Sequence, residues 1–232
     1  MFPNTDWSIL ADATLNGDTA GREALSQLCG AYRPPVVAYL RTRGWREEEA
    51  EDLAQEFFLR LLESRAWRRA QRQRGRFRTF LLGAVTHVVQ HQLEREGAAK
   101  RGKALVASLD AMAEDGFEAP AVPAHAESFD REWARRLVEE AVLSVEERFR
   151  GEGRAAQFAV LRQYLPGAAE PPVYEEAAAR LSVSVANLKS AIHRLRLEFR
   201  ASLRESVART VSAPHEVDEE LRHLRQVLAQ EV

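Results

Sequence analysis

Residues 174–200, YEEAAARLSVSVANLKSAIHRLRLEFR, decide the fold class. Tyr174, Ala177, Ala178 and Leu181 recur at i, i+3, i+4 and i+7, the spacing of one apolar stripe on a short helix. Ser182, Val183 and Ser184 interrupt the stripe, and Ser184 suits the N-cap of the next helix because its hydroxyl oxygen can accept a first-turn N–H. Val185, Leu188, Ile192, Leu195 and Phe199 then fall on one face of a second helix. Asn187, Lys189, Ser190, His193, Arg194, Arg196 and Arg200 occupy the other. Two helices joined by a tight turn, the second with a basic, amide-bearing outer face, predict a helix-turn-helix. On such a face Lys and Arg neutralise phosphates, while Asn, Lys or Arg can read base edges. A plain helical hairpin with solvated charges would satisfy the same periodicity. The turn commonly holds a glycine; Ser182 stands there instead, and a left-handed backbone costs more for any residue with a Cβ.

A chain of 232 residues can bury a real core in one or two domains. Its composition, 45% hydrophobic and 29% charged, is that of a soluble globular protein. No apolar run approaches the roughly 18 residues of a membrane span. The N-terminal MFPNTDWSILADATLNGD has no basic region followed by an apolar core, so no signal peptide is expected and a cytoplasmic location is. The single Cys29 cannot form an internal disulfide and reads as a small core residue on an apolar helical pattern. The formal net charge of −2 argues against a uniformly basic nucleic-acid binder, but charge is segregated. Arginines stand at 65, 68, 69, 72, 74, 76 and 78 with no acid between them, whereas residues 214–232 are acidic.

Taken in order, residues 6–33 predict two helices, the first capped by Asp6 and the second placing Ala24, Leu25, Leu28 and Cys29 on one side. Pro34-Pro35 is expected to break or kink the second before a stretch from Val36 to Arg43, which Gly44 ends. Glu47 to Glu63 is the strongest helix, with a core stripe of Ala50, Leu53, Ala54, Phe57, Leu61 and Leu62. Its polar face carries Glu51, Asp52, Gln55, Glu56 and Arg60, with Phe58 and Leu59 near the edge. Those acids can simply be solvated; exposed apolar groups beside them can also mark a partner site. Trp67 to Phe80, WRRAQRQRGRFRTF, interleaves arginines with aromatics, a composition suited to single-stranded or melted nucleic acid, although Phe77 and Phe80 also fit a core. A helix from Phe80 to Arg95 follows. On it His87 and His91 lie four apart as HVVQH, with neither the Glu of a metalloprotease motif nor a nearby thiolate cluster, so they read as polar surface or groove positions.

Residues 97–128, with Gly97, Gly102, Gly116, Pro120 and Pro123 and little periodicity, predict a flexible linker. A second helical unit begins at Phe129, with helices over Arg131–Phe149 and Ala155–Leu165 before the helix-turn-helix, whose second helix runs towards Arg209. From Pro214 the chain is helical again, with acids at 216 and 218–220 and an apolar face of Val217, Leu221, Leu224 and Leu228. That face is expected to pack on its own protein, and the acidic helix could cover a basic DNA-binding surface.

In this order the parts resemble a bacterial sigma factor of the extracytoplasmic-function type. EEAEDLAQEFFLRLLE (48–63) resembles region 2.2, RGRFRTFLLGAVTHVVQHQLER (74–95) regions 2.3 and 2.4, and VYEEAAARLSVSVANLKSAIHRLRLEFR (173–200) region 4.2. The resemblance covers about residues 6 to 210 and departs from the family at Ser182 and in the acidic tail. It implies docking on core RNA polymerase, at the β′ coiled coil and the β flap, with Asp52, Gln55, Glu56 and Leu59 on the β′ contact. It implies melting of the −10 element by Arg76, Arg78, Thr79, His87, Gln90, His91 and Glu94, since a flipped base needs a pocket and a basic track. It implies reading of the −35 duplex by Ser184, Asn187, Lys189, Ser190, His193, Arg194 and Arg196. An anti-sigma factor is a further partner it allows.

The expectation is therefore an all-α chain of two helical domains joined by a flexible linker. Residues 1–96 form a region 2-like bundle, 97–128 the linker, 129–211 a region 4-like helix-turn-helix and 212–232 an acidic C-terminal helix. The resemblance implies a transcription initiation factor with promoter DNA and polymerase as partners, and no cofactor, membrane insertion or catalysis of its own is expected. A stand-alone helix-turn-helix repressor or activator accounts for 173–200 but gives the acidic helix and the arginine-aromatic segment no role. A helical metalloenzyme built on His87 and His91 lacks a third ligand.

Overall fold

Every regular element among the described residues is helical. The computed structural model describes residues 19–63, 76–94, 126–168 and 170–230, together with Asp6 and Ile9. The helices are α1 (Thr19–Thr42), α2 (Glu47–Glu63), α3 (Phe77–Glu94), α4 (Ala126–Gly151), α5 (Ala155–Leu161), α6 (Tyr174–Arg180), α7 (Val185–Thr210) and α8 (Val217–Ala229). Short 3-10 turns at Arg162–Tyr164 and Pro214–Glu216 follow α5 and precede α8. By internal contacts the chain divides into two compact units, residues 1–134 with 208–232, and residues 135–207. These bounds differ from those read off composition. The acidic helix belongs with the N-terminal unit, and of the expected linker only 126–128, the start of α4, falls among the described residues.

In the first unit, α1 runs unbroken through Pro34 and Pro35. Of the expected break or kink, the break does not occur: Tyr32 before the prolines and Val36, Val37, Tyr39 and Leu40 after them are all buried and hold the helix to the core. Tertiary packing thereby outweighs the lost backbone hydrogen bonds. Gly44, at φ +105°, ends the helix, its N–H donating to the Arg41 carbonyl, 3.1 Å. The Tyr32 hydroxyl donates to the Asp6 carboxylate at 2.6 Å, which ties Asp6 to α1. Cys29 is half-buried, and burial pushes its thiol up to about 11.

At the start of α2 the Glu49 carboxylate accepts the Arg46 backbone N–H (3.1 Å), half of a capping box, and the Arg46 guanidinium beside it holds Glu49 below the usual carboxylate range. Of the predicted stripe Ala50, Ala54, Phe57 and Leu61 are buried, while Leu53 and Leu62 are only half-buried. Phe58 is buried as well, its ring edge-on to Phe57 at 5.2 Å, so it joins the core rather than the polar edge. From Phe77 to Val89, α3 is buried almost all round, as an apolar helix inside a bundle must be. Phe77 packs edge-on to Tyr32 at 5.2 Å, and Phe77 and Phe80 both lie in the core.

In the second unit, Phe149, Phe158, Leu161, Ala177, Leu188, Ile192, Leu195 and Phe199 form one apolar cluster drawn from α4, α5, α6 and α7. The turn between α6 and α7 is a Schellman ending: Val183 N–H donates to Ala178 O (3.0 Å) and Ser182 N–H to Ala179 O (3.1 Å). It places Ser182 at φ +53°, the left-handed conformation that a serine adopts only at a cost. Ser182→Gly should therefore raise the stability of this unit by about 1 kcal/mol, read as a higher urea midpoint at unchanged slope. An unchanged or lower midpoint would contradict the strain. Ser184 Oγ then accepts the Asn187 N–H (3.2 Å) and caps α7.

Candidate polymerase and nucleic-acid surfaces

The outer face of α2 presents Asp52 and Gln55 to solvent with Leu59, which is 51% exposed although its neighbours Phe57 and Phe58 are core. An exposed leucine between exposed polar groups is a small apolar contact point on a hydrophilic helix. Glu56 differs from Asp52. Its carboxylate accepts from Arg60 Nε at 2.8 Å, and Arg60 also holds Glu63 at 2.8 Å, so part of its charge is answered within the helix. Hydrogen bonds to Glu56 and Glu63 raise the Arg60 pKa above the ordinary value.

The basic segment is described from Arg76 onward; Trp67 and the arginines at 65–74 lie outside the described residues. The Arg76 carbonyl accepts the Thr79 and Phe80 N–H groups (3.0 and 3.2 Å), so the first turn of α3 fixes where this residue stands. Its guanidinium meets α8, with Nη2 3.0 Å from Glu219 and Nε 2.8 Å from Glu220 Oε2, the latter an ion-pair contact without hydrogen-bond alignment. Arg78 is buried. Its Nε donates to Glu220 Oε1 at 2.6 Å and its Nη1 to Asp130 at 2.7 Å, while the guanidinium lies 5.0 Å from the centroid of the Trp133 ring. Burial works against the Arg78 charge, but the Asp130 and Glu220 carboxylates outweigh it and its pKa lies above the ordinary arginine value. Asp130 also meets His223 Nε2 at 3.1 Å.

One Glu220 carboxylate therefore bridges both arginines, from a helix far away in sequence. The periodic reading of α8 set its inner face on Val217, Leu221, Leu224 and Leu228. Instead Val217, Glu220 and Leu224 are fully buried and Leu221 and Leu228 only half-buried. The helix is rotated so that a carboxylate enters the core, which is tolerable because two guanidinium groups meet it there. Among the other −10 candidates, Thr79 and His87 are half-buried, and the side chains of Gln90, His91 and Glu94 lie outside the described residues. Among the described residues no three of His, Cys, Asp and Glu come together as a metal site.

In the second unit Asn187, Lys189, Ser190, His193, Arg194 and Arg196 stand exposed on α7, opposite its buried Leu188, Ile192, Leu195 and Phe199, with Ser184 exposed at its N-cap. They are not equally available. Arg196 donates through Nε and Nη2 to the Tyr164 carbonyl (3.3 Å each), and Ser190 Oγ donates back to Ala186 O at 3.0 Å. Lys189 Nζ stands 5.1 Å from the Tyr174 ring, which is itself stacked on Tyr164 at 5.7 Å. His193 and Arg194 have no partner among the described residues. Tyr164, which the periodic reading passed over, supports this face: its hydroxyl donates to Pro172 O at 2.9 Å while its own carbonyl orients Arg196.

Residues 28–99 match the family model Sigma-70 region 2. The matched stretch takes in the C-terminal half of α1 and all of α2 and α3; it does not reach α6 or α7. No curated protein and no solved structure matches the chain. No helix among the described residues is long and apolar enough to cross a membrane.

Proposed function

We propose that this chain is a sigma-type initiation factor of the extracytoplasmic-function class, acting in the cytoplasm without catalysis of its own. The observation that carries the reading is the Sigma-70 region 2 match over residues 28–99, within which α2 turns Asp52, Gln55 and Leu59 outward. Docking on core RNA polymerase falls to that face of α2. The N-terminal end of α3 and the basic segment before it serve the melted −10 strand, where guanidinium groups meet phosphates. α6 and α7 act as a helix-turn-helix, with Asn187, His193 and Arg194 on the −35 duplex and Arg196 held ready by Tyr164. Promoter selectivity then arises from two DNA contacts coupled through the polymerase.

Transcription by core RNA polymerase on a library of genomic promoters, with and without this protein, tests the proposal. New start sites sharing two spaced sequence elements are expected, and no protein-dependent start site would refute it. Arg194→Ala should lower protection of the upstream element about tenfold, the lower end of a lost base or phosphate contact, while leaving the unit folded because the side chain is exposed. Undiminished protection would remove Arg194 from the DNA.

A further inference from the structure

The C-terminal helix holds with carboxylates the arginines that the proposed function gives to DNA. Glu219 and Glu220 meet Arg76, and Glu220 with Asp130 meets Arg78. A carboxylate pair offers an arginine the same charge and oxygen acceptors as a phosphate, so the two compete for one guanidinium. With α8 in place each guanidinium meets two carboxylates, Arg76 those of Glu219 and Glu220 and Arg78 those of Glu220 and Asp130; Arg76 is 21% exposed and Arg78 8%. The acids are placed for this and not merely abundant. Glu220 lies on the buried side of α8 between Val217 and Leu224, a position that apolar periodicity would fill with leucine. Glu219 beside it is 59% exposed and touches the more accessible arginine. α8 is joined to α7 by the non-helical residues 211–213 and a single 3-10 turn, held by the Ser212 and Ala213 N–H groups donating to the Glu216 carboxylate (2.8 and 2.9 Å).

We infer that α8 is an intramolecular competitor for single-stranded DNA at the N-terminal end of α3, so that full engagement of the strand by Arg76 requires α8 to leave. This rests on the assignment of α3 to melted DNA made above. Two steps of different difficulty follow. Glu219 lets go first, because it is exposed and its pair is weak. The Glu220–Arg78–Asp130 contact yields only to a partner that replaces its charges, here the phosphates of the strand held by polymerase. By linkage, DNA that displaces α8 is bound less tightly in proportion to how well α8 docks.

Deleting residues 214–232 is a poor test, since it also removes the buried Val217, Glu220 and Leu224. Glu219→Gln is a better one, because the side chain is exposed and meets only Arg76 in the network described here. A labelled single-stranded DNA of mixed sequence is titrated with the full chain, alone and with core RNA polymerase, as wild type, Glu219→Gln, Arg76→Ala and the double variant. Glu219→Gln should bind roughly 2- to 5-fold more tightly, the worth of an exposed ion pair, and Arg76→Ala should abolish that gain. On the same samples, backbone amides of Val217–Ala229 should exchange faster with DNA bound than without. Unchanged affinity in Glu219→Gln, or unchanged exchange in α8 when DNA is bound, overturns the inference. So does absence of DNA binding in every variant, and co-elution with polymerase, scored separately, distinguishes that failure from failure of the transcription reading.

Discussion

Arg78→Ala is expected to destabilise the first unit by about 3–5 kcal/mol, the cost of breaking a buried ion pair by removing one partner. The substitution leaves Glu220 fully buried, with Asp130 nearly so, and takes away the guanidinium lying over Trp133. Arg76 offsets only part of this, since its 2.8 Å contact to Glu220 Oε2 lacks hydrogen-bond alignment. Thermal unfolding followed by circular dichroism checks this, with a fall in midpoint of several degrees at least. Arg78→Met combined with Glu220→Leu should recover much of the loss, since a buried pair replaced by apolar groups of similar volume is often neutral. A stable Arg78→Ala protein would show that the network carries no structural weight. The same reasoning changes how a promoter defect in Arg78 variants should be read: loss of the fold comes before loss of a DNA contact.

Asp52→Ala combined with Leu59→Ala should weaken core polymerase binding by about 2–4 kcal/mol, roughly 30- to 1000-fold, if these two side chains are central to the docking face. Glu56→Ala alone should cost less than about 1 kcal/mol, because Arg60 already answers that carboxylate and exposed ion pairs are weak. Asp52 and Leu59 are exposed, so the melting curve of the double variant should match wild type. Binding is read by fluorescence anisotropy of a labelled chain against core polymerase. Equal affinity of wild type and the double variant would move the docking site away from α2.

The all-helical class was legible because α2 and α7 bury clean 3.6-residue stripes, and periodicity reports burial directly. The cap at Ser184 and the left-handed Ser182 were legible for a different reason, since turn chemistry is local. What periodicity could not carry was the long-range placement of charge. Nothing near residue 220 announces that its carboxylate is buried between two arginines, because the partners lie on α3. The one available signal was complementary charge, a basic run ending at Arg78 and an acidic run at 218–220 in an otherwise neutral chain. Pro34 and Pro35 do not break the helix, one of the two outcomes expected of them: their local cost is real, but Tyr32, Val36, Tyr39 and Leu40 anchor the helix on both sides of them. Tyr164 escaped notice because its service to Arg196 runs through a backbone carbonyl, which any residue type could supply.

Gel filtration of the purified protein with core RNA polymerase tests the central claim most directly. The account predicts co-elution in a one-to-one complex, lost in the Asp52→Ala, Leu59→Ala variant and retained in Arg194→Ala. Elution of the chain apart from polymerase, together with tight binding to duplex DNA in its absence, would contradict it and favour a helix-turn-helix regulator acting alone.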